Sequence, residues 1–523
     1  MMPPVALRAV FLLSLLAAPA LLRADEREPV IEFHLKYIAL YGRRESTLNY
    51  DFDGDGKLDI LNVTINTDHG APERWLSIHY QRAGGYSEAP DAMWPLSDQA
   101  CALVLGDFLP GGGTEIGYLA EDGVYVYPWD AAAKKPSEKP VKLIHVRTFF
   151  RAPSLTQIPL WQWKMDLSGD GLDDIVVPLP DGYRVYFQTA PGIFGKVSVL
   201  ESDLAAGGTR AVAAAAYADS PEISPSQFRS VTELPRLEVV DINGDGLSDL
   251  VLIRRSTMTY FLQKERGVFS SMRPYMVSYD IPTLRDEVKK DSVNFAIIKF
   301  IDINGDGLAD LVVTKVEGQL GLFDSIKTSI YLHLGTGKGN FNADRRIKID
   351  GVSIDPEFID MNGDGKLDVI TSRLRTDLLK QAANSLILGD VGISYEVFQF
   401  DPEKNNFMPD PVFEKQILVR KNDLEKTGAG AVPLVFVRGD LTGDGRPDLI
   451  VVDPKTSELL IHPGRLKDYG RGPVIDFDKT PHYAIKIDRH PKGLQLMDVN
   501  GDGINDIILY YNGTVGVVLS EKK

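Results

Sequence analysis

Seven short stretches of the chain repeat one arrangement of oxygen-bearing side chains. Position 1 is always aspartate: Asp51, Asp166, Asp241, Asp302, Asp360, Asp440 and Asp498. Position 3 is Asp53, Ser168, Asn243, Asn304, Asn362, Thr442 or Asn500. Position 5 is again aspartate: Asp55, Asp170, Asp245, Asp306, Asp364, Asp444 and Asp502. Position 9 ends each stretch with Asp59, Asp174, Asp249, Asp310, Asp368, Asp448 or Asp506. Position 7 varies, as Lys57, Leu172, Leu247, Leu308, Lys366, Arg446 and Ile504, which suits a residue that lends only its backbone carbonyl.

This is the donor set of a hard cation. Calcium takes about six to eight oxygens at roughly 2.3–2.6 Å. Three or four carboxylates in nine residues repel one another unless a cation lies among them. Position 6 is glycine in all seven stretches (Gly56, Gly171, Gly246, Gly307, Gly365, Gly445, Gly503), as a chain that wraps one ion so tightly requires. The sequence therefore predicts about seven calcium sites. An ion needed once would suit catalysis, whereas one in every unit suits a structural staple. An eighth stretch, Asp107 to Glu115, has Leu109 and Gly111 at positions 3 and 5, and here the turn is expected without the metal.

The flanks decide what carries the loops. An EF-hand needs a bidentate Glu at position 12 between two helices. Position 12 here is Asn62, Val177, Leu252, Val313, Thr371, Val451 or Leu509. Each loop instead runs into apolar, β-branched residues such as Ile175-Val-Val177, Leu250-Val-Leu-Ile253 and Leu449-Ile-Val-Val452, which are strand signals. Acidic repeats of the thrombospondin kind need many disulfides, and the chain has one cysteine. A calcium loop between two strands resembles the FG-GAP or VCBS repeat of integrin α-subunit heads. That resemblance implies an all-β fold: a β-propeller of four-stranded antiparallel blades laced with calcium.

The eight stretches start 56, 59, 75, 61, 58, 80 and 58 residues apart, a period that holds four strands and their turns. Eight units imply eight blades, with seven as the alternative. The two long intervals are read as insertions, Leu204 to Glu233 and Thr376 to Ile393. Asp377 to Ala383 and Arg285 to Ser292 are short helix candidates. After Asp506 only two strands remain, 507–511 and 514–519, so the last blade lacks an outer strand. Residues 30–41 form a spare strand ahead of the first unit. Since an open sheet edge invites mispairing, this strand is expected to complete the last blade and close the ring.

Arg8 followed by the apolar run Ala9 to Leu22 reads as an export signal covering residues 1–24, with a single propeller domain over 25–523. The run is too short to span a membrane comfortably, and no later run is long and apolar enough. Export would place the mature protein in a periplasm or outside the cell. Cys101, in the apolar stretch 100–105, reads as a buried small hydrophobe. The formal charge of −16 becomes −18 without residues 1–24, and seven calcium ions would bring it near −4. Most of the acidity is thus committed to metal. No basic stripe stands out, which argues against nucleic acid.

Other chemistry is sparse. The eight histidines show no zinc-like spacing, and there is no GxSxG elbow or phosphate-cradling P-loop. Gly335 to Phe341 resembles the turn before the outer strand of a VCBS repeat. Trp161 and Trp163 share a strand face and are read as packing between blades rather than as a sugar platform. No catalytic residue is assigned. The resemblance to integrin heads implies an exported recognition or adhesion scaffold for a protein or glycan. The alternative is a polysaccharide-active enzyme, lyase-like, on the same frame.

Overall fold

The computed structural model describes residues 30–523 apart from 112, 131, 151–153, 155–157, 202–209, 214–227, 232–235, 255–256, 272–291, 320–321, 343–344, 351–352, 354–355, 375–389, 421–434, 454–455, 469–472 and 479. The export signal, both helix candidates and parts of both insertions lie outside the described residues.

Eight small antiparallel sheets form a ring, and their strands follow chain order. Blade 1 is Arg43–Tyr50, Asp59–Asn66, Glu73–His79 and Ala92–Pro95. Blade 2 is Ala102–Gly106, Glu115–Ala120, Gly123–Tyr127 and Val141–His145. Blade 3 keeps three paired strands, Ile175–Leu179, Gly182–Phe187 and Lys196–Glu201. Blades 4, 5, 6 and 7 begin at Arg236, Ser292, Glu357 and Val435, each with four strands. Blade 8 comprises Gly493–Met497, Asp506–Tyr510, Thr514–Lys522 and, as its outer strand, Ile31–Ala39.

The closing strand behaves as the strand count requires. It pairs antiparallel with the last strand of the chain from Ile31↔Lys522 to Ala39↔Thr514. Lys523 donates its N–H to the Val30 carbonyl at 3.0 Å, and its Nζ meets Glu32 at 2.7 Å.

The second strands explain why the alternation expected of sheets is missing. All eight residues of Asp59–Asn66 and all six of Glu115–Ala120 are buried, because each blade is covered on both faces by its neighbours. Outer strands alternate instead, as Ala92–Pro95 does. The core is accordingly divided into eight clusters, one at each interface between blades. One joins Leu61, Leu76 and Trp94 of blade 1 to Leu103, Ile116 and Tyr118 of blade 2. The cluster that closes the ring packs Ile38, Val499, Ile508 and Val517 of blade 8 on Ile60 and Tyr86 of blade 1.

Two departures from the regular pattern bear on the site. The strand ahead of the blade 3 loop, Leu160–Gln162, pairs in parallel with Ala102–Gly106 of blade 2. It reaches its own blade through side chains: Gln162 donates Nε2–H to the Asp174 carbonyl and accepts the Val176 N–H (2.8 Å), while Trp161 Nε1 donates to the Val176 carbonyl at 2.7 Å. The insertion after blade 3 contributes a two-stranded ribbon, Arg210–Ala213 with Phe228–Val231. Because strands alternate in direction, the acidic loops and the third-to-outer connections share one end of the ring.

Ring closure by the first strand is expected to carry measurable stability. Ile38→Ala, at a fully buried site, should cost about 2–4 kcal/mol, whereas Val30→Ala, at a site 60% exposed, should stay within about 0.5 kcal/mol. Denaturant titration checks this, and equal effects of the two substitutions would refute the closure.

Candidate metal centres

Six of the acidic stretches connect the first and second strands of a blade, and the blade 3 stretch connects Leu160–Gln162, paired with blade 2, to Ile175–Leu179. Each folds around its own position 1 carboxylate. In the first loop, Asp51 Oδ1 accepts the N–H groups of Gly54 (2.7 Å) and Asp55 (3.1 Å), and Oδ2 accepts that of Gly56 (2.8 Å). Asp241, Asp302, Asp360 and Asp498 do the same, as does Asp166. Asp440 accepts from Thr442, Asp444 and Gly445. In every loop the position 5 carboxylate accepts the N–H of position 7. This curl needs two left-handed residues. Gly54 and Gly56 have φ of 78° and 86°, and positions 4 and 6 of the other six loops match them. The requirement at position 4 escaped the sequence reading, although glycine stands there in all seven loops.

Position 9 is buried in all seven loops, with 0% exposure. One oxygen accepts the N–H of position 2, as in Asp59 with Phe52 (2.8 Å) and Asp448 with Leu441 (2.8 Å). The other accepts an N–H at the end of the third strand: Gln81, Gln188, Gln263, Gly335, Phe400, Gly464 or Ser520. The carboxylate therefore latches the loop to the far side of its own blade. Burial pushes these groups up, to about 7 for Asp59, Asp174, Asp368, Asp448 and Asp506 and to about 6 for Asp249 and Asp310. Position 2 is the hydrophobic plug beneath the loop: Phe52, Leu167, Ile242, Ile303, Met361, Leu441 and Val499 are at most 5% exposed.

The eroded stretch keeps the loop half of the latch, with no third-strand amide on Glu115 among the described residues. Glu115 is 4% exposed, and its Oε2 accepts the N–H groups of Phe108 (2.7 Å) and Leu109 (3.3 Å). Burial pushes it to about 7, as in the intact loops. The turn survives although positions 3 and 5 offer no side-chain oxygen.

The remaining donors suit a hard divalent cation. Asp51, Asp53 and Asp59 each bring an oxygen within 4.8 Å of the others. Oxygens on opposite sides of a calcium ion lie about 4.6–5.2 Å apart, twice its bond length. Among the described residues this is the one such triad, and it arises because only the first loop has aspartate at position 3. Asparagine there offers an amide oxygen and donates Nδ2–H to the position 5 carboxylate, as Asn243 does to Asp245 at 2.9 Å. The Tyr80 hydroxyl, buried in the field of Asp59 and Asp53, has no hydrogen-bond partner among the described residues.

Neighbouring loops are tied together. Leu58 donates its N–H to Val499 O at 3.0 Å, Leu367 to Ile303 O at 2.8 Å, and Asn505 to Asp440 O at 2.8 Å. Between blades 2 and 3 the Asp173 carboxylate accepts the Asp107 N–H at 2.6 Å. Gln188 and Gln263 each donate Nε2–H to a carbonyl of the preceding loop, Asp107 and Leu167.

Of the other sequence candidates, Cys101 is buried and reduced. Gly335 to Phe341 forms the turn between Leu322–His333 and the outer strand Arg345–Asp350. The two tryptophans part company. Trp161 is half-buried and stacks on Tyr183, whereas Trp163 is 52% exposed and tilts against Tyr50 at 5.8 Å. Trp163 lies just past the short strand, so strand alternation does not govern it.

Three segments match the FG-GAP-like repeat: residues 241–313, 302–371 and 440–509. No curated protein matches the chain. Similar solved structures include an Agrocybe aegerita protein described as recognising non-reducing terminal N-acetylglucosamine, with 15% identity over 84% of this chain and 93% of that one and a TM-score of 0.40. The WD40 domain of Toxoplasma gondii coronin is 11% identical over 95% of this chain and 88% of that one, with a TM-score of 0.37. At these scores neither bears on site or function.

Burial predicts a pH dependence at Glu115, whose own stretch lacks side-chain oxygens at positions 3 and 5. A carboxyl raised from its usual value to about 7 adds stability below about 4.5 that is lost as pH rises through 7, close to 3 kcal/mol in full. Glu115→Gln removes that titration. In chelator, the stability of the variant relative to the parent should rise between pH 5 and pH 8. A difference independent of pH would refute the buried latch.

Proposed function

Because the protein is an eight-bladed propeller of FG-GAP repeats, we propose that it is a calcium-stapled recognition scaffold, exported to a periplasm or the cell exterior, that binds a protein or glycan. The observation that carries the metal is the sevenfold recurrence of one oxygen-only cradle with a desolvated carboxylate at its base. Burial pushes that carboxylate up despite its two backbone amides, and a divalent cation in the cradle would favour its ionised form. Calcium fits better than magnesium, since a mix of carboxylate, amide, hydroxyl and carbonyl oxygens suits a flexible coordination number. Export is supported by the apolar run Ala9 to Leu22 and by the use of one cysteine in a long chain. Ions that bind only the folded ring stabilise it without disulfides.

A recognition role is supported by the architecture. A rigid ring presents the acidic loops and the third-to-outer connections at one end, and binding residues gather on connections held by such a frame. One observation favours the enzymatic alternative. At the opposite end a cavity of about 750 Å³ between the blade 1–2 crossing and the blade 2 turns is lined by His145 and Arg147 with Asp98, Glu121 and Asp122, and Arg147 is paired with Glu121 at 3.6 Å, so a base and a cation share one acidic cleft. Release of unsaturated products from an anionic polysaccharide, lost in His145→Gln, would establish that reading and displace the scaffold.

Calorimetric titration of the decalcified protein should give about seven calcium ions per chain, and chelation should lower the melting temperature by many degrees. Asp245→Ala should remove about one ion, and Asp107→Ala none. An unchanged melt in chelator, or equal losses in the two variants, would sink the proposal.

A further inference from the structure

Around the acidic end of the ring, third-to-outer connections lean onto the loop of the preceding blade. Lys338 of blade 5 donates its N–H to Asn243 O of the blade 4 loop at 3.1 Å. A Cβ on Gly192 of blade 3 would lie 3.7 Å from Leu109 and Pro110 in the blade 2 turn. Where the connection is lengthened into a ribbon in blades 6 and 7, Phe400, Phe407, Ile475 and Phe477 bury themselves in the core between blades. In blade 2 the ribbon, Trp129–Asp130 with Lys135–Pro136, packs Trp129 on the edge of the core between blades 1 and 2 and leaves a cavity of about 500 Å³ beside the first loop. Asp53, Tyr80, Arg82, Trp129 and Lys134 line it.

We propose that this cavity binds an acidic saccharide, its pyranose ring on Trp129 and its carboxylate between Arg82 and Lys134. Trp129 is half-buried and braced edge-on by Tyr80, with centroids 6.1 Å apart and planes at 76°. A fixed indole is the platform that the apolar face of a sugar ring uses. Arg82 is held by one Nη bonded to Asp91 at 2.6 Å, yet its side chain stays 60% exposed, so further donors of the guanidinium fork remain for a carboxylate. Lys134 is held at the ribbon turn by a left-handed backbone, φ 52°, that lysine rarely adopts. Tyr80, 5% exposed and with its hydroxyl buried, contributes its ring to the wall and braces the indole. The wall formed by Asp53 would repel an acid unless its charge is spent on an ion, so the proposal rests on the calcium reading of the first loop.

Calorimetry of the full chain with trigalacturonic acid and with galactotriose tests it. In calcium the acidic sugar should bind at least about tenfold tighter than the neutral one, and Trp129→Ala, Arg82→Gln and the fully exposed Lys134→Gln should each weaken it about tenfold with calcium stoichiometry unchanged. No binding, equal binding of galactotriose, insensitivity to all three substitutions, or equally tight binding of a poly-glutamate peptide would each overturn it. If the stoichiometry is about seven and the sugar does not bind, this inference alone fails. If the sugar binds through Trp129 in chelator, the pocket stands and its dependence on an ion at Asp53 fails.

Discussion

A carboxylate shut away from water and holding two backbone amides is the joint on which seven of the eight blades turn. One amide belongs to the residue that plugs the core beneath the loop, and the other to the far end of the third strand. Without that joint the loop and hairpin would be separate ornaments on the sheet. Burying an anion is costly, and two neutral donors compensate it only in part, as the upward displacement of all seven groups records. Glu115 keeps the loop half of the joint, through the Phe108 and Leu109 amides, without a donor set around it. A cation in the proposed sites therefore would act on a turn already formed, by removing the electrostatic penalty of its own scaffold.

Much of this was readable because the information is local. A nine-residue spacing of oxygens followed by β-branched runs specifies a strand–loop–strand unit, and counting strands after Asp506 specifies where Ile31–Ala39 must go. What escaped depends on contacts far apart in the chain. The partner of Asp59 is Gln81, and that of Asp368 is Phe400, so the second half of each joint appears only once the hairpin register is known. The apolar residue at position 2 was legible in principle, since every unit has one, but its meaning comes from its amide as much as from its burial. Trp163 was misread because the strand before it ends at Gln162, one residue too soon for alternation to place it. That strand is short because Gln162 makes with its side chain the bonds that a backbone ladder would otherwise make.

The two ends of the ring are chemically unlike. At one end the loops are hydrogen-bonded to their neighbours, as Leu58 is to Val499 and Asn505 to Asp440. A disturbance in one cradle is felt first by the adjoining blade. The opposite end carries the second-to-third turns and the crossings between blades, tied by amides of the crossings such as Leu40 to Gly513 O and Phe149 to Pro178 O. A ligand seated between blades 1 and 2 at the acidic end would thus touch a linked frame.

The seam formed by Ile31–Ala39 and Thr514–Lys522 has a consequence for how the molecule is made. These are pairings between opposite ends of the polypeptide, the highest contact order the chain offers, and their loop-closure entropy must be overcome last. The leading strand has no mate until residues 514–522 are available to it. Seven blades can stack as they emerge, each on its predecessor, while the first interface waits half-covered. The circle is thus completed in a single late event, and a nascent chain halted before residue 514 would present an unpaired strand edge to its surroundings.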